Sequence, residues 1–214
     1  MHASSSHLAL LLAGGELVVT PRALERVRDA ALVVAADGGA RHAAALGLTV
    51  DVWVGDFDSS DGLTLNAPRQ THPTEKDQTD LELALMTAKA RGATEALVLG
   101  AFGGRFDHAL GIALMAARET AQGFTVNLES GTESGWVLTP QCPLELALTA
   151  GQTFSALALE GDAHGLSIRG ARWDLDRATL GFGSSLGISN VAKGMVTLSL
   201  ERGVVLVVAQ WDER

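Results

Sequence analysis

Three apolar runs near the start of the chain, residues 8–13, 32–36 and 50–54, break off into turns bearing glycine or aspartate, with helix-length segments between them. Runs of that length without polar alternation read as strands buried on both faces. Strands that alternate with helices build a parallel sheet with right-handed crossovers. The helical segments carry their own boundary signals. Pro21 opens one, with Leu24, Val27 and Ala31 on the inner face and Arg22, Glu25, Arg26 and Arg28 outside. A second runs from Ala40 to Leu46 and closes at Gly47. Thr79 and Glu82 form a capping box, so a third begins at Asp80, packs Leu81, Ala84, Leu85 and Ala88 inward, and ends at Arg91-Gly92. A short strand is expected near Gln70-Thr71, others at 96–100 and 124–128, and a long helix from about Asp107, as its cap, to Ala121.

Across residues 129–135, small polar residues interrupt this order and the pattern changes. From Trp136 onward the apolar runs are short: 136–139, 144–148, 153–159, 164–169, 195–200 and 203–209, none with a helical period. An antiparallel β domain of about eighty residues is expected there, close to the size at which a core is marginal alone. The domains are therefore 1–135 and 136–214. With 47% hydrophobic and 19% charged residues the chain can bury a core. A formal charge of −9 excludes a nucleic-acid partner, which needs a cationic footprint. Cys142, the single cysteine, excludes an internal disulfide and a cysteine-based zinc cage. The apolar run at 8–13 is too short for a membrane span or a signal core, so a soluble cytoplasmic protein is expected.

The chemistry concentrates at strand ends. Gly55-Asp56-Phe57-Asp58-Ser59 follows the third apolar run, and its two carboxylates are hard oxygen donors suited to Mg²⁺ with phosphate oxygens. On the residues alone, a solvated turn remains an equal reading. Asp37-Gly38-Gly39 ends the second run in the same manner. Asp80 falls in the first turn of its helix, where the dipole favours an ionised acid, and Lys76 and Asp77 crowd the same helix start. Gly103-Gly104-Arg105-Phe106-Asp107-His108 joins a strand to a helix, an arrangement in which backbone N–H groups and the Arg105 fork can meet a phosphate. It is not a P-loop, since no Gly-Lys-Ser or Gly-Lys-Thr occurs, and His108 reads as a polar residue of the helix's first turn. In the second domain, a glycine- and serine-rich loop at 181–190 and the nearby Trp173 fit either a flat cationic heteroaromatic ring or a surface loop beside a core tryptophan.

Five of these motifs in one order and spacing resemble the thiamine pyrophosphokinase (thiamine diphosphokinase) family: Asp37-Gly38-Gly39-Ala40, residues 55–59, residues 76–82, residues 103–108, and Gly187-Ile188-Ser189-Asn190. The resemblance covers most of the chain. It implies an α/β fold, a Rossmann-like nucleotide-binding domain followed by a small β-sandwich domain, in a homodimer with active sites at the subunit interface. The implied reaction converts ATP and thiamine to AMP and thiamine diphosphate. By position, Asp56, Asp58 and Asp80, with Asp37 nearby, hold Mg²⁺. Asp56, Asp80, Lys76 and Arg105 form the catalytic set. Asp37, Gly38, Gly39, Thr79, Gly103, Gly104, Arg105 and Asp107 contact ATP, and Trp173, Ser189 and Asn190 contact thiamine. Two departures stand out: Arg41-His42 replaces the family's common Asn-Arg pair, and Trp173 stands where many bacterial members carry tyrosine. The rival readings are a metal phosphohydrolase built on Asp56 and Asp58, and a non-catalytic protein that binds thiamine or nucleotide. The first expects Thr or Val at position 60, where the chain has Ser60.

Overall fold

A computed structural model describes residues 7–57, 60, 62–72 and 77–211. The chain is mixed α/β and divides into two compact units, one formed by 1–112 with 124–131 and the other by 113–123 with 132–214.

The first unit follows the alternation of its apolar runs. Strands β1 (Leu8–Leu12), β2 (Leu32–Ala36), β3 (Val52–Gly55), β4 (Arg69–Thr71), β5 (Glu95–Leu99) and β6 (Thr125–Glu129) lie side by side in the order β6-β5-β1-β2-β3-β4. Every neighbouring pair is parallel. All but the first residue of β1, β2 and β5 are buried, and so is all of β3, which is why these strands are near-continuous apolar sequence. Edge strand β4 is exposed throughout. Leu10, Leu12, Val33, Trp53, Leu97 and Leu99 anchor one side of the core.

Helices α1 (Pro21–Arg26), α2 (Ala43–Leu46) and α3 (Asp80–Ala90) connect the strands. Thr79 caps α3 with the reciprocal Glu82 box expected of it. Two segments differ from the sequence reading. Helix α1 is only six residues long, and Leu24 is exposed while Ala23 and Val27 are buried. The segment after β2 is a 3-10 helix over Asp37–His42 that passes into the single turn of α2, because the chain must turn sharply as it leaves the sheet. Helix α4 (Phe106–Ala121) is shared between the units at residue 112.

The second unit holds strands β7 (Glu133–Leu138), β8 (Leu144–Ala147), β9 (Thr153–Ala158), β10 (Ala163–Ala171), β11 (Leu175–Leu180), β12 (Asn190–Ser199) and β13 (Val205–Gln210). All pairings among them are antiparallel. Strand β12 links two sets: its first two residues pair with β9, beside β13 and β7, and the rest pairs with β8 and β10. Leu138, Leu144, Phe154, Leu166, Ile168, Leu180, Val196, Leu198 and Val207 form one apolar cluster drawn from both sets. Strand β11 has no counterpart among the expected runs. Leu175-Asp-Arg-Ala-Thr-Leu180 buries only its last residue, so it lacks the apolar alternation that marks its neighbours. Strand β7 begins inside the small polar stretch, and β12 begins five residues before its apolar run.

Candidate active site

Asp37 follows β2, Asp56 follows β3 and Asp80 is the first residue of α3. Parallel strands present their carboxyl ends to one edge, so residues leaving adjacent strands meet there. One carboxylate oxygen from each of the three acids lies within 4.8 Å of the other two. Asp37 is buried, and Asp56 and Asp80 are half-buried. Three convergent carboxylates are a hard-oxygen donor set of the kind that holds Mg²⁺ with phosphate oxygens and water, so these residues fit the expected ion. Asp58 and Lys76, also expected here, lie outside the described residues.

The backbone that carries these acids is bent. Asp37 and Phe57 both take left-handed conformations, at φ +39° and +67°, which for residues other than glycine cost about 1–3 kcal/mol each unless the surroundings impose them. The surroundings here are aromatic. The Trp53 indole N–H donates to the Asp37 carbonyl at 2.9 Å. Phe57 stands edge-on to the Trp53 ring with centroids 5.1 Å apart, and the Arg69 guanidinium lies 4.5 Å from the Trp53 centroid and 4.9 Å from that of Phe57. Between Trp53 and Phe57, Gly55 has φ +155°, and a Cβ there would stand 3.0 Å from the Asp37 Cβ. Glycine at 55 thus admits Asp37 to the site.

The glycines of the neighbouring motif have a packing role. A Cβ on Gly39 would stand 2.1 Å from the Leu12 carbonyl oxygen, so β1 and the 3-10 helix can approach only with glycine there. Arg41 and His42 grip the turn after β1: Arg41 donates to the carbonyls of Gly14 and Gly15, and His42 Nε2 lies 3.0 Å from the Gly15 oxygen. Burial holds the His42 ring below its usual pKa, against the Gly15 hydrogen bond. That turn in turn meets the loop after β5, with Gly15 N–H donating to the Gly100 carbonyl at 3.1 Å and Glu16 N–H to that of Phe102 at 3.0 Å.

In the glycine loop, Gly103 and Gly104 turn through left-handed backbone, at φ +72° and +67°. Arg105 is exposed and donates twice to Asp107, at 3.1 and 2.6 Å, which holds the Asp107 carboxyl below the usual carboxylate range. Asp107 is not the helix cap expected from sequence. Helix α4 starts at Phe106, so Asp107 sits in the first turn. The Thr79 hydroxyl accepts from Glu82 N–H at 3.3 Å, which makes it a cap as well as a candidate nucleotide contact.

A cluster that the sequence did not point to lies at the end of β6. Glu129 is fully buried and forms ion pairs with Arg22 at 2.6 Å and Arg26 at 2.7 Å, and it accepts from Gly131 N–H at 2.7 Å. The two arginines expected on the outer face of α1 therefore turn toward the sheet. Glu25 and Asp29 stand three residues after Arg22 and Arg26, so the local sequence offers nearer acids and gives no sign of the distant partner.

In the second unit Trp173 is 53% exposed, and Asn190 beneath it is buried. Asn190 Oδ1 accepts from Trp173 N–H at 3.2 Å, and its Nδ2 donates to the Trp173 carbonyl at 2.8 Å. The Arg172 guanidinium lies 4.8 Å from the Trp173 ring centroid. Ser189, at φ +58°, donates its N–H to Ser155 Oγ at 3.0 Å. Phe182, Leu186 and Ile188 of the preceding loop are exposed.

Two family profiles match the chain in sequence order. "Thiamin pyrophosphokinase, catalytic domain" covers residues 24–128, and "Thiamin pyrophosphokinase, vitamin B1 binding domain" covers 141–205. The chain belongs to the thiamin pyrophosphokinase family. A thiamine pyrophosphokinase of Bacillus subtilis (strain 168) is 24% identical over 210 residues, spanning 94% of this chain and 98% of that protein. The crystal structure of thiamine pyrophosphokinase from Bacillus subtilis shares the fold with a TM-score of 0.79 at 24% identity, over 96% of this chain and 99% of that one. Thiamin pyrophosphokinase from Candida albicans shares it with a TM-score of 0.73 at 14% identity, over 96% and 90% of the two chains. The three acids that meet lie within the catalytic-domain match, and Trp173, Ser189 and Asn190 lie within the vitamin B1 binding match.

Proposed function

We propose that this chain transfers the pyrophosphoryl group of ATP to the hydroxyl of thiamine, in a Mg²⁺-dependent reaction that yields thiamine diphosphate and AMP. The observation that carries this reading is the convergence of Asp37, Asp56 and Asp80 on one point at the carboxyl edge of the parallel sheet. A triphosphate resists attack by an incoming oxygen because its own oxygens are anionic, and the bound ion supplies neutralising charge there. Asp37, Asp56 and Asp80 would hold that ion, with Asp58 assigned beside them from its motif.

The chain's other residues position the substrates. Arg105 offers a planar fork to phosphate oxygens, and Asp107 fixes its orientation while leaving donors available. Lys76 joins the catalytic set by its place in the motif. Gly38, Gly39, Thr79, Gly103, Gly104 and Asp107 line the ATP side, and an Asp of the site takes the proton of the thiamine hydroxyl. Trp173 supplies an aromatic face for the flat rings of thiamine, of which the thiazolium is cationic, with Ser189 and Asn190 beside it. The finer architecture belongs to the same proposal: a Rossmann-like domain at 1–135, supported by the parallel strand order, and a β-sandwich domain at 136–214, supported by two antiparallel sets over one apolar core. The assembly is a homodimer with active sites at the subunit interface, and the place of action is the cytoplasm. No helix among the described residues is long and apolar enough to cross a membrane.

Incubation of the purified protein with ATP and Mg²⁺, followed by chromatographic separation of nucleotides, tests the proposal. AMP and thiamine diphosphate should appear in equal amounts and only when thiamine is present. Phosphate released without thiamine would point to a hydrolase instead.

A further inference from the structure

We infer that Trp53, Phe57 and Arg69 are positioning residues that set the geometry of the carboxylate cluster. The inference rests on the metal-site reading of Asp37, Asp56 and Asp80 given above.

Two of the three acids are tied to this stack by separate links. The Trp53 indole N–H holds the carbonyl of Asp37 itself, at 2.9 Å. Phe57 is the residue directly after Asp56, and its left-handed backbone determines the direction in which the chain leaves β3. Its ring is fixed edge-on against Trp53, so the conformation at Asp56 and the conformation at Asp37 depend on the same indole. Trp53 cannot shift to accommodate either one, because it is fully buried and sits in the centre of β3.

Arg69 closes the stack. It is the direct register partner of Trp53 on edge strand β4, and its guanidinium reaches across both rings at once. A cation over two aromatic faces attracts both and holds Phe57 against the indole. Gly55 completes the arrangement by letting the Asp37 side chain pass where any Cβ would meet it. The left-handed residues Asp37 and Phe57 are thus held by contacts that have no direct part in ligand binding. Outer partners of metal-binding carboxylates act in this way, fixing the direction in which the ligand oxygen points.

The test uses Trp53→Phe, which keeps an aromatic ring but removes the N–H, and Arg69→Gln, which removes the cation from an exposed edge strand. Mn²⁺ alone is titrated into each folded protein and followed by electron paramagnetic resonance, and the Mg²⁺ concentration for half-maximal turnover is measured in parallel. Trp53→Phe should bind Mn²⁺ roughly tenfold more weakly than the parent, with excess Mg²⁺ restoring much of the turnover. Arg69→Gln should shift both quantities the same way by a smaller factor. A purely structural role would lower the melting temperature and leave Mn²⁺ affinity unmoved, and that result in both variants overturns the inference. If Trp53→Phe does not fold, Arg69→Gln decides alone: unchanged Mn²⁺ affinity overturns the inference and weakened affinity upholds it. Failure of the unsubstituted protein to bind Mn²⁺ overturns the metal-site reading and this inference with it, whereas normal binding in the parent and in both folded variants overturns the inference alone.

Discussion

The two matched domains handle their candidate ligand groups in opposite ways. In the catalytic-domain match, Asp37, Asp56 and Asp80 converge as side chains, and the left-handed backbone at Asp37 and at Phe57, the residue after Asp56, is held against a buried indole. In the vitamin B1 binding match, the candidate ring of Trp173 projects from the surface, and Asn190 fixes only its backbone. An ion would need oxygen atoms at set distances, and the first region sets strained backbone and a buried indole beside its acids. A flat ring would need a face to lie on, and the second region fixes the turn between β10 and β11 while leaving the Trp173 side chain exposed.

Substitutions can break this contrast in graded steps. The largest effect is expected from Asp56→Asn or Asp80→Asn. Each should reduce turnover by more than about a hundredfold, beyond the usual loss for outer partners of a metal site, while circular dichroism and the melting curve stay close to those of the parent. Full activity in either variant at ordinary Mg²⁺ would remove these acids from the mechanism. Next comes Gly55→Ala, which places a Cβ against Asp37 at a backbone angle suited to glycine. A stability loss of about 1–3 kcal/mol in denaturant unfolding is expected, together with weaker Mn²⁺ binding.

Trp173→Ala addresses the other side of the comparison. Loss of an aromatic face for a cation should raise the KM for thiamine by roughly tenfold, with kcat and the KM for ATP little changed. A fall in kcat at unchanged KM would mean that the tryptophan helps place the reacting groups. The smallest effect concerns His42. Burial lowers its pKa from the usual 6.5, so unfolded chains take up a proton at a pH where the native ring resists it. Its contribution to stability is whole above about pH 6.5 and is lost as the pH falls from there through the lower native pKa. His42→Gln should therefore flatten the pH dependence of the unfolding free energy below 6.5, measured as urea midpoints.

Much of the first domain was legible because its strands are buried on both faces and their residues are apolar in unbroken runs. The Thr79–Glu82 box marked the start of α3 to the residue, since a cap is a local hydrogen-bond pattern. Strand β11 was not legible, because it exposes most of its side chains and leaves no alternation to read. The meeting of Asp37, Asp56 and Asp80 could be expected from their places after strands and at a helix start. Their supports could not. The bond from Trp53 to Asp37 depends on the register of two strands, and the ion pairs from Arg22 and Arg26 to Glu129 span more than a hundred residues of chain. Asn190 shows the same limit in a single side chain. Its motif marked it as a ligand contact, and the fold also uses it to hold the Trp173 main chain.

The closeness of Asp37, Asp56 and Asp80 has a consequence for the folded state as a whole. Like charges crowded within 4.8 Å oppose the compact form, and the unfolded chain is free to disperse them. A divalent ion that binds only the assembled cluster would remove that opposition and shift the equilibrium by mass action. Magnesium would then serve this chain twice, as a participant in turnover and as a clamp on its architecture, and removing it with a chelator should loosen the molecule as well as stop the reaction.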